Sequence, residues 1–352
     1  MAEAGTVGVG LVGYGLAGRS FHAPFIAAVD GLRLCAVATT DAQRRARAIA
    51  EHPGTDVVAG VDALLGRSDI DVVIVATPNR FHVPIAVLAL SSGRHVVVDK
   101  PIAMDVREAE RLIEAATRAD RLLSVYHNRR WDGDFLTIRR ILAEGTLGTI
   151  DSLESRFERV AAVDGSWRES EREEGGPLRD LGPHLVDQGL VLFGPARRVW
   201  AQLARRRPAT QVDDSAFVAI DHVSGVQTRL WMSLIASRVG PRIRLRGVAG
   251  EYLKEDLDAQ EAQLLAGMRP SEPDFGDEPE PRWGRLVRPD GSASTIQTER
   301  GRYTAFYERM LDAVRGRGPV PVDPIDALST LRIIEAAELA AATGTAQTIE
   351  EG

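Results

Sequence analysis

From Val7 to Gly18 the chain passes from a six-residue apolar stretch, VGVGLV, directly into Gly13-Tyr14-Gly15-Leu16-Ala17-Gly18 and then into a helical pattern that lasts to about Val29. A strand that turns at once into a helix through GxGxxG admits few folds. Gly13 permits the tight turn, Gly15 lets an anionic group approach the backbone, and Gly18 lets helix and sheet pack closely. With Leu16 and Ala17 completing the turn, the motif forms a cradle for a dinucleotide pyrophosphate, which free N–H groups and the helix dipole both favour.

The same rhythm continues for a third of the chain. Short apolar runs at Leu32–Ala38, Val57–Val58, Val72–Ala76, His95–Val98 and Leu122–Tyr126 alternate with helical stretches at Asp41–Glu51, Val61–Leu65, Phe81–Ser92 and Asp105–Ala119. Alternating strands and helices predict a parallel sheet with helices on both faces. After about Tyr126 the pattern changes to period-two alternation, as in Ser152–Val160, Arg198–Ala204, Ser215–Asp221, Val226–Ser233 and Arg242–Gly247, which reads as antiparallel strands. Arg269–Trp283 reads as an acidic, proline-rich loop, and Pro324–Thr343 as an amphipathic helix between Asp323 and Gly344. The division expected is residues 1–125 for dinucleotide binding and 126–352 for substrate binding and oligomerisation. In the second region a face bearing Val218 and Ile220 is expected to need a partner subunit, making a dimer or tetramer.

Composition narrows the partners. Lys and Arg number 43 against 50 Asp and Glu, a formal charge of −7 that would repel a nucleic-acid backbone, so the cluster Arg205–Arg207 reads as solvated surface. The single thiol, Cys35, sits in an apolar run and excludes a disulfide framework. No apolar run reaches the roughly 18 residues of a membrane span, and the opening MAEAGTVGVG lacks a basic flank, so a cytoplasmic protein is expected.

An NAD site usually carries a carboxylate about 20 residues beyond the glycines, to hold the ribose 2′-hydroxyl. Here Thr39 stands 21 residues after Gly18, followed by Thr40, Asp41 and, one turn on, Arg44. Neutral hydroxyls and a cation accommodate a 2′-phosphate, so NADP(H) is favoured over NAD(H), with Asp41 the feature that keeps NAD open. Two strands end in Ala76-Thr77-Pro78-Asn79 and in Asp99-Lys100-Pro101, the edge of a parallel sheet where ligands bind, and Pro101 restricts the backbone that aims Lys100. Further on, Asp180 and His184 stand four apart, on one face if that stretch is helical. A carboxylate beside an imidazole suits a base that takes a hydroxyl proton, and no second His or Cys cluster completes a metal site.

These residues resemble the glucose-fructose oxidoreductase / inositol dehydrogenase / MocA (Gfo/Idh/MocA) family through GYGLAG (13–18), ATPNRFH (76–82), DKP (99–101) and DLGPH (180–184). GRSFHAPF (18–25), YHNRRWDGDFLT (126–137), LDAQEAQLLAG (257–267) and GRYTAFY (301–307) look most like its NADP-dependent scyllo-inositol 2-dehydrogenase branch. Where the family usually has Glu-Lys-Pro, this chain has Asp99. The resemblance implies an α/β protein: an N-terminal Rossmann domain and a C-terminal α+β domain with an open-faced, mostly antiparallel sheet. It assigns Lys100 and His184 to the reacting hydroxyl and Asp180 to their support, and it adds His82 to the cofactor residues. Asn128, Arg130, Trp131, Trp167 and Arg168 are polar or amphipathic groups suited to gripping a polyol, Trp131 and Trp167 being suited equally to core or interface packing, with His22 and Tyr303 as further candidates. The activity implied is hydride transfer on a cyclic polyol or sugar. The alternatives are another sugar or dihydrodiol dehydrogenase, or a regulator that senses NADP(H) without turnover.

Overall fold

Val7–Val12 forms β1, buried along its whole length because helices cover both faces of its sheet. Around it the alternation builds α1 (Ala23–Ala28, continuous with a π-helical turn at Ala17–His22), β2 (Leu32–Ala38), α2 (Ala42–Glu51), β3 (Asp56–Val58) and α3 (Val61–Leu65). Then come β4 (Val72–Val75), α4 (His82–Ser91), β5 (His95–Asp99), α5 (Val106–Ala119) and β6 (Leu123–Tyr126). These strands form one parallel sheet in the order β3-β2-β1-β4-β5-β6, in which the order reverses at β1. The carboxyl ends of β1 and β4 therefore border the crevice where open α/β sheets take ligands.

Local chemistry sets the helix starts. Asp41 caps α2 by accepting the Arg44 N–H at 2.8 Å, and Asp105 caps α5 by accepting the Glu108 N–H at 2.7 Å. Each such cap is worth about 1 kcal/mol.

The computed structural model describes residues 5–163 and 175–349, in two compact units. The first holds the chain to Asn128 together with Glu261–Phe275 and Arg302–Leu328, and the second holds Arg129–Gln260, Gly276–Gly301 and Ser329–Gly352. Further along come α6 (Gly133–Ala143), β7 (Ile150–Glu158), α7 (Pro177–Phe193), β8 (Ala196–Ala204), β9 (Ser215–His222) and β10 (Gln227–Ser233). They are followed by β11 (Ile243–Gly247), β12 (Gly250–Lys254), α8 (Gln260–Leu265), β13 (Gly284–Val287), β14 (Ala293–Ile296), α9 (Thr304–Val314), α10 (Pro324–Thr343) and β15 (Gln347–Thr348).

The second unit's sheet runs β14-β13-β12-β11-β7-β10-β9-β8-β15 and is antiparallel throughout except between β7 and β10. On one face α7 (Leu178, Leu181, Leu185) and α10 (Ile333, Ile334, Ala337) pack against Val199, Val218, Ile220, Leu230 and Met232. This corrects one expectation. Val218 and Ile220 are fully buried beneath helices, and the residues on the other face are their neighbours one place along. Phe217 of β9 lies between Trp200 and Trp231 there, with ring centroids 5.8 and 4.9 Å away, and the Arg156 guanidinium stacks 4.0 Å over Trp231. Alternation locates two faces but does not say which one the helices take.

Candidate active site

The glycine turn has the geometry its spacing implies. Gly13 adopts φ +98°, and a Cβ there would lie 2.3 Å from the Ala76 carbonyl oxygen, while one on Gly18 would lie 2.1 Å from the Gly13 carbonyl oxygen. A Cβ on Gly15 would meet only Arg44 Nη1, 3.9 Å away. The turn is thus closed behind Gly13 and Gly18 and open before Gly15, with a guanidinium across the opening. Leu16 is half exposed beside it.

At the end of β2, Thr39 is half-buried and donates its N–H to Val58 O, while Thr40 is exposed. Asp41 spends its carboxylate on the cap of α2, so the acidic side chain that follows the two threonines is held by its own helix. At the end of β4 the buried Thr77 hydroxyl has no hydrogen-bond partner among the described residues, and Asn79 is buried in the short 3₁₀ turn Asn79–Phe81 that follows Pro78. An open glycine cradle, a cation beside it and an orphaned buried hydroxyl at the next strand end fit a nicotinamide dinucleotide.

β5 delivers Asp99, Lys100 and Pro101, with a cis peptide between the last two. Asp99 Oδ1 accepts the Lys100 N–H at 2.8 Å. Burial works to raise the Asp99 pKa, but His22, Lys100 and His82 outweigh it and hold the carboxyl below its ordinary range. His82 is fully buried, with Nδ1 2.8 Å from Pro101 O and Nε2 2.9 Å from Thr77 O, and burial lowers its pKa. A neutral ring donates to one of these two carbonyls, and it sits between the β4 and β5 ends.

In the second unit, Asp180 and His184 lie on α7, one turn apart on one face, with His184 buried. Gly176 stands before that helix at φ +94°, and Asp213 supplies the cap from another segment, its Oδ2 accepting the Leu178 N–H at 3.3 Å. Burial pushes Asp213 up to about 6, with help from Glu338 and Asp214. Arg179 is bound by both oxygens of Glu338 on α10, at 2.6 Å each.

The remaining candidates divide. Arg130 is held by the buried Asp187 at 2.6 and 2.8 Å, Asn128 is buried at the end of β6, and Trp131 is buried with its carbonyl accepting from Gln260. Tyr303 is fully buried against Phe25 and belongs to the first unit's core. Trp167 and Arg168 lie outside the described residues. Arg207 is half-buried, its Nε 3.4 Å from the buried Asp214, so that member of the basic cluster is partly structural. A cleft of about 820 Å³ in the first unit, lined by Leu16, Arg19, His52, Leu264 and Met268 among others, touches neither strand-end tripeptide. Among the described residues no three His, Cys, Asp or Glu side chains are placed to hold a metal, and no helix is long and apolar enough to cross a membrane.

Residues 7–127 match the family model described as oxidoreductase family, NAD-binding Rossmann fold, and residues 139–350 match its C-terminal alpha/beta domain. The chain belongs to the Gfo/Idh/MocA oxidoreductase family. It is 38% identical over 331 residues to the uncharacterized oxidoreductase YdgJ of Escherichia coli, covering 93% of this chain and 94% of that one. It is 33% identical over 336 residues to the Bacillus subtilis scyllo-inositol 2-dehydrogenase (NADP(+)) IolW, covering 94% of this chain and 93% of that one. The solved structure of the putative oxidoreductase yvaA from Bacillus subtilis superposes with a TM-score of 0.94 at 31% identity, covering 99% of this chain and all of that one. As a Gfo/Idh/MocA member the protein is an NAD(P)-dependent oxidoreductase acting on CH–OH groups.

One cluster at the foot of Lys100 is not marked by any local pattern. His22 and Tyr307 are both fully buried, and His22 Nδ1 is 2.5 Å from the Tyr307 hydroxyl. They lie 285 residues apart, and only their presence in two of the family-like motifs marks them.

Proposed function

We propose that the protein interconverts a secondary hydroxyl and a ketone on a cyclic polyol or sugar with NADP(H), scyllo-inositol and its inosose being the leading pair. The observation that carries the cofactor choice is the end of β2: two threonines, an aspartate spent on capping, and Arg44 reaching to the open side of Gly15. A 2′-phosphate gains a cation there and meets no free carboxylate. The name of the 33%-identical relative supports both cofactor and substrate class.

A nicotinamide dinucleotide held by the glycine turn, Arg44 and the end of β4 would supply the hydride acceptor for the carbinol carbon, or the donor in the reverse direction. His184 takes the proton of the substrate hydroxyl as the alcohol becomes a ketone, and returns it in the reverse direction. Asp180, one turn back on α7, raises the basicity of that imidazole. The Lys100 ammonium stabilises the developing alkoxide. Asn128, Arg130, Trp167 and Arg168 are assigned to substrate because polar and amphipathic groups of these types suit a polyol. The buried single thiol fits a reducing cytoplasm. A homodimer or homotetramer is inferred to form through the face of the second unit's sheet that carries Trp200, Phe217 and Trp231.

The test is a panel of inositols, inososes and aldoses assayed with each cofactor by nicotinamide absorbance. Turnover of a cyclic polyol with NADP faster than with NAD is expected, and Thr39→Asp should move that preference toward NAD. Faster turnover with NAD at equal concentration overturns the cofactor choice, and cofactor binding without turnover on any member favours a sensing role.

A further inference from the structure

His22 stands at the centre of a buried line of groups that ends on Lys100. Its Nδ1 is 2.5 Å from Tyr307 Oη, and its Nε2 faces Asp99 Oδ2 at 3.7 Å. The other Asp99 oxygen holds the Lys100 N–H at 2.8 Å. The ring is tilted against Tyr126 at 4.3 Å, and Tyr126 donates its hydroxyl to Phe21 O at 2.7 Å, which fixes the wall behind the imidazole. Nε2 looks toward a carboxylate, which can only accept, so a proton on Nε2 suits both ends: Tyr307 O–H donates to Nδ1, and Nε2–H faces Asp99 from just beyond hydrogen-bond distance. The Asp99 carboxylate is thus faced by His22 on one oxygen and accepts the Lys100 main-chain N–H on the other. The other ionisable groups around Asp99 are His82 and Lys100 itself.

We infer that His22 is a positioning residue for Lys100: anchored by Tyr307, it backs the Asp99 carboxylate at 3.7 Å, and the other oxygen of that carboxylate holds the Lys100 main-chain N–H at the end of β5. Asp99 is one methylene shorter than the glutamate usual at this place, and the imidazole behind it supplies the second support that keeps so short a carboxylate turned toward Lys100. The inference rests on the proposed role of Lys100 in turnover. It deepens that role by naming what sets the lysine's position.

The test is built on His22→Leu, which removes the donor and keeps the bulk, and His22→Gln, whose amide N–H stands near the place of Nε2. His22→Leu should lower kcat about tenfold or more with KM and NADP(H) Kd within twofold, and His22→Gln should recover most of the loss. Adding His22→Leu to Asp99→Asn should cost little beyond Asp99→Asn alone, because both break the same line. Competitive acetylation of Lys100 at one fixed pH, read by mass spectrometry in the full-length protein, needs no substrate. There His22→Leu should change the Lys100 labelling rate about twofold or more, since a loosened carboxylate lets the lysine shift, and His22→Gln should not. Equal losses in His22→Leu and His22→Gln, additive effects with Asp99→Asn, or an unmoved labelling rate would each overturn the inference. If no polyol is turned over while the labelling rate still changes, the proposed reaction fails and the positioning of Lys100 by His22 stands.

Discussion

At the scale of single residues the proposed chemistry divides between the units, Lys100 in the first and Asp180 with His184 in the second. His184→Ala should lower kcat by roughly 10²–10⁴, the usual worth of a general base, and leave NADP(H) affinity within about twofold, because the dinucleotide cradle is built wholly from the first unit. Lys100→Ala should lower kcat as well, and Lys100→Arg should not restore it, since a planar guanidinium does not replace a compact ammonium. Asp180→Asn should be milder than His184→Ala. Steady-state kinetics on the substrate found in the panel, with cofactor titration by fluorescence, check all four, and wild-type kcat in His184→Ala would sink the assignment. At this scale the sequence is readable where a function occupies neighbouring positions. The glycine turn and Asp99-Lys100-Pro101 are contiguous, whereas the His22–Tyr307 contact joins positions that no local pattern relates. Aromatic side chains stay ambiguous for another reason: Trp131 and Tyr303 could serve a sugar or a core equally well by type, and burial decides for the core.

At the scale of elements, α7 carries Asp180 and His184, and its first turn is held from outside by Asp213 and by the Arg179–Glu338 pair. The Asp213 pKa is about 6 in the fold, above the ordinary carboxylate value, so the folded chain binds that proton more tightly than the unfolded one. Stability from this group is therefore greatest at low pH, falls as pH rises between about 4 and 6, and is level above. Allowing for screening of a half-buried group, the cost at neutral pH is about 1–2 kcal/mol. Asp213→Asn keeps an acceptor for the Leu178 N–H without the charge, so it should raise Tm by a few degrees at pH 8, with the gain shrinking toward zero as pH falls to 4. Thermal melts followed by circular dichroism at the two pH values check this, and an unchanged or lower Tm at pH 8 would refute it. The elements themselves differ in how legible they are. β1 to β6 are short apolar runs set off by glycines and by caps such as Asp41 and Asp105, so their bounds read to within a residue or so. The helices α6 and α9 are not apparent from pattern: α6 opens on Gly133 with no side-chain cap bond from Asp132, and Tyr303 before α9 makes none either.

At the scale of the whole molecule, the nine-stranded sheet leaves Trp200, Phe217 and Trp231 on the face away from α7 and α10, with Trp200 39% exposed. Light scattering at micromolar concentration should therefore find a dimer or tetramer rather than the 38.2 kDa chain, and Trp200→Glu should shift the population toward that single chain. A monomer in the wild type would remove the argument. Which kind of assembly forms follows from the strands at the two ends of the sheet. Among the described residues β15 offers only Gln347 and Thr348, and β14 is four residues long. Such short margins make poor templates for adding a further strand from another chain, so growth along the hydrogen-bonding direction is blocked at both ends. Association is left to the broad aromatic face, and a face that meets its own copy about a twofold axis is used up in doing so. The assembly expected is thus closed and self-limiting, and raising the protein concentration should saturate it at a fixed size instead of drawing out filaments.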